Sequence, residues 1–209
     1  MLGIIRVLTT DDVNVLEEHN SQMKAFLNID GKTECISSQW NGIHDKQSEK
    51  LATPKIVDLA EEMVNTNQFS ALTVSCAADP ALDVLREKQS IPIIGAGSSG
   101  AHIAKAFGKK VGVMGITKDV PDAIKSILGQ GFVYKYNDNI RKTTDLFNEN
   151  AAQELHKTAI QLVNENVDVI LFACTGFSTI RLKNYLKQHI NKPIVDLIEA
   201  QALVFTSLN

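Results

Sequence analysis

Two of the three cysteines in this 209-residue chain, Cys76 and Cys174, stand in matching surroundings. Each ends an apolar run, ALTVS before Cys76 and VDVILFA before Cys174, and each opens a turn of small residues, Ala77-Ala78-Asp79 and Thr175-Gly176. An apolar run of that length bounded by a turn reads as a buried strand, and a thiol at its end lies at the carboxyl edge of a sheet, where open α/β folds bind ligands. Such turns leave backbone N–H groups free near the sulfur, just ahead of a helix. Those dipoles are expected to draw a thiol from its ordinary pKa of about 8.5 toward neutrality. Two thiols on opposite walls of one cleft suit the inversion of a carbon acid, one removing a proton from one face while the other delivers a proton to the opposite face. The carbanion between them needs its charge held on an adjacent carbonyl, which backbone N–H groups and hydroxyls can do.

The residues expected to bind substrate around that pair are Thr9, Thr10, Ser75, Ala77, Gly97, Ser98, Thr117, Thr175 and Gly176. The competing reading of a cysteine on an apolar strand is a small buried hydrophobe, and of a hydroxyl at a strand end a helix cap. The matched context of the pair favours chemistry. Cys35 lacks that context and is read as structural. The five histidines, His19, His44, His102, His156 and His189, are scattered; most read as surface helix positions, and only His102, just after the Gly-rich turn Gly95 to Gly100, is placed to reach a cleft.

The elements that must position the thiols alternate strand and helix. Strands are expected at Gly3–Leu8, Thr33–Ile36, Ala71–Ser75, Ile91–Ile94, Lys110–Thr117, Phe132–Tyr136, Val167–Ala173 and Pro193–Val195. Helices fall between them, with Asp11 or Asp12 capping the first. Pro54 should split or bend the helix at 46–65, because a mid-helix proline removes a hydrogen bond. Pro80 should start a helix running to Lys88, and another is expected over Thr179–His189. The loop Ser37 to Asp45, with the single tryptophan Trp40, is a surface loop or a lid.

Alternation at this spacing predicts an α/β protein with parallel sheets. The order repeats: VNTNQFSALTVSC aligns with VNENVDVILFAC, and SIPIIGAGSSG with NKPIVDLIEAQ. Two pseudo-symmetric lobes follow, each a parallel sheet flanked by helices, with the cleft between them. The first lobe takes 1–97 plus 199–209 and the second 98–198.

With the cysteines so placed, the chain resembles the aspartate/glutamate racemase superfamily, and within it the hydantoin racemase-like branch. The resemblance rests on SCAADPALDVLRE, IPIIGAGSSG, VGVMGIT and DVILFACTGF, and it covers nearly the whole chain. It implies two lobes around a shared cleft, no cofactor, Cys76 and Cys174 as the acid/base pair, and a homo-oligomer. Amino-acid racemases of the superfamily generally follow the first cysteine with Asn-Thr, which helps hold the substrate carboxylate. Ala77-Ala78 here points away from free aspartate or glutamate and toward a cyclic ureide. Two further departures, LTTDD at the end of the first strand and GAGSSG without an acidic residue, bear on the substrate and not on the chemistry. Relatives also include decarboxylases and maleate isomerases.

Gly95 to Gly100 matches the dinucleotide pattern G-x-G-x-x-G after a strand, which would suggest a nicotinamide-linked oxidoreductase. The strand that follows ends in Thr117 where a ribose-binding acid is expected, which argues against it. A two-lobed binding module without turnover is the non-enzymatic alternative. A net charge of −3 with no basic run gives no footprint for nucleic acid or an anionic membrane. Neither a signal peptide nor a spanning segment is legible, so a cytoplasmic location is expected. The scattered cysteines and histidines suggest no metal. The expected partner is a small-molecule substrate.

Overall fold

A computed structural model describes residues 1–66 and 68–208. In chain order the first lobe contains β1 (Leu2–Arg6), α1 (Val13–Leu27), β2 (Gly31–Cys35), α2 (Lys46–Asn65), β3 (Ala71–Ser75), α3 (Leu82–Lys88) and β4 (Ile93–Gly95). Then come α4 (Ala96–Phe107), β5 (Val111–Gly115), α5 (Asp122–Leu128), β6 (Phe132–Tyr136), a 3-10 turn at Thr143–Phe147, and α6 (Ala151–Asn164). The chain closes with β7 (Val169–Phe172), α7 (Gly176–Thr179), α8 (Leu182–Leu186), β8 (Ile194–Val195) and α9 (Leu197–Thr206). The strands form two four-stranded parallel sheets of the same order, β2-β1-β3-β4 and β6-β5-β7-β8. Cys76 leaves the third strand of the first lobe and Cys174 the equivalent strand of the second, so the repeat in the sequence is a repeat in space.

Successive side chains on a strand point to opposite faces, and both faces of the first sheet are covered. Leu2 and Ile4 of β1 and Ala71 of β3 pack with Met23 of α1 and with Ile198, Ala202 and Phe205 of α9. Ile5, Leu72 and Val74 pack on the other face with Ile56, Ala60 and Met63 of α2. Two helices exchange between lobes. α4 follows the first sheet yet packs on α5, β7 and β8, and α9 follows the second sheet yet packs on α1, β3 and β4. The divisions at 97/98 and 198/199 fall in the first turns of those helices.

Four local expectations change or narrow. Of the split or bend expected at Pro54, the split is absent, since one helix spans 46–65: that residue lies on the exposed side, where the carbonyl it leaves unpaired can meet water, and the buried face Ala52, Ile56, Ala60 and Met63 keeps its packing. The helix after Cys76 starts at Leu82 and not at Pro80, because Asp79 and Ala81 both adopt left-handed backbone (φ 51° and 61°). The 179–189 helix is two short helices separated at Arg181, which is also left-handed (φ 52°) and whose side chain reaches Glu18 at 2.7 Å.

The fourth change bears on the site. GAGSSG is not a turn but the opening of α4, which begins at Ala96. Asp79, eighteen residues upstream of Gly97, supplies the cap: its carboxylate accepts from Gly97 N–H and Ser98 N–H, both at 2.7 Å. A helix amino terminus that already holds a buried carboxylate has no free N–H cradle for a pyrophosphate, so the dinucleotide reading loses its binding site.

Candidate active site

A cleft of about 770 Å³ opens between the carboxyl edges of the two sheets, and both thiols line it. Its floor is Val7, Cys76, Ala77 and Ala78 from the first lobe and Ile116, Ala173, Cys174 and Thr175 from the second. Phe132 and Tyr134 of β6 form a wall. Charged groups sit toward the rim: Lys46 and Glu49 of α2 face Lys118, Asp119, Asp122 and Lys125. Lys46 Nζ reaches Asp122 at 2.6 Å, an ion pair that crosses from one lobe to the other.

Both thiols are nearly inaccessible, at 7% for Cys76 and 8% for Cys174. Burial drives both thiols up, Cys174 to about 11 and Cys76 further. The sequence expectation was the reverse, since local dipoles were legible and desolvation was not. The N–H groups do oppose burial, Ala78 at Cys76 and Gly176 with Phe177 at Cys174. The two sulfurs then differ by charge: Arg6 favours the thiolate of Cys174, whereas Cys174, Asp79 and Glu49 disfavour that of Cys76.

Of the residues expected to bind substrate, Ala77, Thr117 and Thr175 line the cleft with the cysteines. The others are not among the residues that line it, although the Gly176 N–H lies beside the Cys174 sulfur. Thr9 donates to the Ile36 carbonyl at 2.5 Å and accepts from Gln39 N–H, pinning the 36–39 segment, and Thr10 accepts from Asp12 N–H. Gly97 and Ser98 are engaged by Asp79, and a methyl built on Gly176 would meet Leu146, Thr143 and the Cys174 sulfur. Within the cleft the Thr117 hydroxyl donates to the Asp119 carbonyl at 2.7 Å and that of Thr175 to the Ser75 carbonyl at 3.1 Å. The Tyr134 hydroxyl donates to the Thr117 carbonyl at 2.6 Å, and burial pushes its pKa up to about 12. The hydroxyls therefore shape the cleft, and the backbone N–H groups beside the sulfurs are what remains to meet developing charge.

Trp40 is 55% exposed and off the cleft, but the end of its loop, Ile43 to Asp45, lines it. Nothing in the local sequence marks Thr143, or Tyr134 midway along the edge strand β6. His102 is exposed on α4, its Nδ1 2.8 Å from the Ser98 carbonyl, and lies off the cleft. His19, read as a surface residue, is wholly buried between the lobes. Its Nδ1 lies 2.8 Å from Ser75 Oγ and its Nε2 2.9 Å from Thr179 Oγ1.

A family model described as Asp/Glu/Hydantoin racemase matches residues 35–204. The chain belongs to that family. A curated relative, the hydantoin racemase of Paenarthrobacter aurescens, is 24% identical over 168 residues, covering 77% of this chain and 70% of the relative. Among solved structures, the allantoin racemase from Klebsiella pneumoniae superposes with a TM-score of 0.85 at 16% identity, covering 99% of this chain and 86% of that one. A glutamate racemase from Bacillus anthracis superposes at 0.74 with 19% identity, covering 100% of this chain and 80% of that one. At such identities the superpositions speak to the two-lobed fold, and the family match places this racemase-family chain among isomerases. Among the described residues no helix is long and apolar enough to cross a membrane.

Burial and the nearby Arg6 guanidinium hold His19 well below the ordinary histidine pKa of 6.5, so it is neutral in the folded racemase-family chain. Below pH 6.5 the unfolded chain takes up a proton that the native chain refuses, so this residue makes the protein less stable as pH falls. The slope approaches about 1.4 kcal/mol per pH unit. Urea denaturation of the parent and of His19→Asn between pH 5 and 7 should show the parent losing stability more steeply by up to that amount; parallel curves would contradict a buried neutral imidazole.

Proposed function

We propose that this chain is a cofactor-independent racemase or epimerase of the hydantoin type, with Cys76 and Cys174 as the two acid/base groups. The observation that carries the reading is that both thiols line one cleft, each from the carboxyl end of the equivalent strand of its own lobe, with backbone N–H groups beside each sulfur. Inversion requires one thiolate and one thiol on opposite faces of the substrate carbon. The proton leaves that carbon for the thiolate while the other thiol protonates the opposite face, and the sulfurs exchange protonation states. The adjacent carbonyl oxygen carries the transient charge toward the N–H groups.

The floor favours a neutral carbon acid. Among the described residues no arginine lines the cleft, the floor is mainly alanine, valine and isoleucine, and Lys46 is committed to Asp122 at the rim. A carboxylate placed against that floor would lose hydration while the two other cleft lysines, Lys118 and Lys125, stay exposed at the rim, whereas a ring ureide needs only a few hydrogen bonds. A panel of optically pure 5-substituted hydantoins, allantoin, aspartate and glutamate, followed by loss of circular dichroism, tests this. Turnover of a ureide with no turnover of the amino acids is expected; the reverse selectivity would overturn the substrate class.

The raised thiols give a second expectation. Because the pair gives up its first proton mainly from Cys174, near 11, the reactive thiolate is a minor species at neutral pH and grows with alkalinity. The value of kcat/KM, corrected for the substrate's own ionisation, should climb up to about tenfold per pH unit between pH 7 and 10. A profile flat from pH 7 to 9 would contradict it.

A further inference from the structure

Behind the cleft floor a buried polar chain joins the lobes, and the catalytic reading gives it no role. Arg6, at the end of β1, donates through Nη1 to the Val15 carbonyl at 2.7 Å and through Nη2 to Thr179 Oγ1 at 3.1 Å. Thr179 Oγ1 in turn pairs with His19 Nε2, and His19 Nδ1 with the hydroxyl of Ser75, the residue just before Cys76. The carbonyl of the same Ser75 accepts the hydroxyl of Thr175, the residue just after Cys174. Gln22, one turn along α1 from His19, donates to the Ser178 carbonyl at 2.6 Å.

His19, Ser75 and Ser178 are no more than 1% exposed, Arg6 and Thr175 are buried as well, and Thr179, which joins Arg6 to His19, is half-buried. Groups that far from water are costly to leave unpaired, so the chain of bonds holds as a unit or fails as one. A neutral imidazole suits it, giving one hydrogen bond and taking the other. An imidazolium would instead bury a second positive charge beside the Arg6 guanidinium.

We propose that His19 is a positioning residue for the thiol pair. It ties the strand end that delivers Cys76 to the helix that follows Cys174, and thereby sets the gap in which the reacting carbon must sit. The proposal rests on the two-thiol reading. Inversion needs both sulfurs in register with one carbon, whereas proton exchange with return to the same face needs only one. Loosening the tie therefore harms inversion more than exchange, because a misplacement of about 1 Å can cost about a hundredfold in rate.

The experiment follows one enantiomer of a turned-over substrate in deuterated buffer with the full chain. It compares deuterium appearing in the recovered starting enantiomer with formation of the inverted product. Thr179→Val keeps the side-chain volume but removes the hydroxyl between Arg6 and His19; Thr179→Ser keeps the hydroxyl; His19→Asn removes the ring. Thr179→Val and His19→Asn should slow inversion about 10- to 100-fold and raise the ratio of exchange to inversion at least fivefold, and Thr179→Ser should restore the parent ratio. If His19→Asn does not fold, Thr179→Val carries the comparison. A ratio unchanged in Thr179→Val, with exchange and inversion falling together, would show a purely structural tie and overturn the proposal. Failure of the two-thiol reading is seen separately, as racemisation that survives in both Cys76→Ser and Cys174→Ser.

Discussion

Cys76→Ser and Cys174→Ser are each expected to lower racemisation at least about a thousandfold, with the fold unchanged. A positioned general acid or base contributes roughly 10²- to 10⁴-fold, and an alcohol is both a far weaker acid and, at neutral pH, never the base. The two losses should be of similar size, since every inversion uses both sulfurs whichever enantiomer enters. The double variant should be scarcely worse than either single one, as is usual for groups that act as a unit. The sulfurs are small buried groups beside cleft space, so unchanged circular dichroism and melting within a few degrees would separate a chemical loss from a folding loss. Wild-type racemisation in both single variants would remove the proposed mechanism.

The second large effect is expected from a residue that carries no functional group. A methyl built on Gly97 would overlap the carbonyl oxygen of Ala77, the residue after Cys76. The contact is backbone against backbone, so no side chain can swing away. Either the amino terminus of α4 or the Cys76 turn must move, and Asp79, whose carboxylate bonds Gly97 and Ser98, links the two. Gly97→Ala should therefore cost about 1 to 3 kcal/mol of stability, the usual range for overpacking, and about a hundredfold in kcat through displacement of the Cys76 sulfur. Gly129→Ala is the control for glycine loss as such: it sits at positive φ with open space around it, so it strains only a surface turn. Denaturant melts with kcat for the two variants test the contrast, and a Gly97→Ala protein with parent kcat would contradict the close approach.

What could be read from the sequence was what is local. The strands before Cys76 and Cys174 announce themselves by apolar runs, their internal similarity foretells two sheets of the same order, and Asp12 caps α1 as expected. Hidden features depend on residues far apart in the chain. GAGSSG looks like a loop until Asp79 is brought to it, after which it is the first turn of α4. His19 looks like a surface helix residue because its neighbours are polar. Only the packing of α1 against α7 shows that it faces Ser75 and Thr179. The left-handed residue Arg181, which divides the helix predicted over 179–189, has no glycine or asparagine to mark it.

The thiols show the same limit in energetic form. Their N–H neighbours could be inferred from the turns, but whether dipoles or desolvation prevails depends on how deeply the opposite lobe covers the sulfur, and desolvation wins at both.

The central claim is that each thiol serves one face of one carbon, and the most direct test uses α-proton exchange by the single variants. Each enantiomer of a racemised substrate is incubated in deuterated buffer with Cys76→Ser or with Cys174→Ser, and loss of its α-proton signal is followed by NMR. The expected result is a crossed pattern, in which one variant exchanges only one enantiomer and the other variant only its mirror image. Exchange of both enantiomers by a single variant would place one base on both faces and contradict the account.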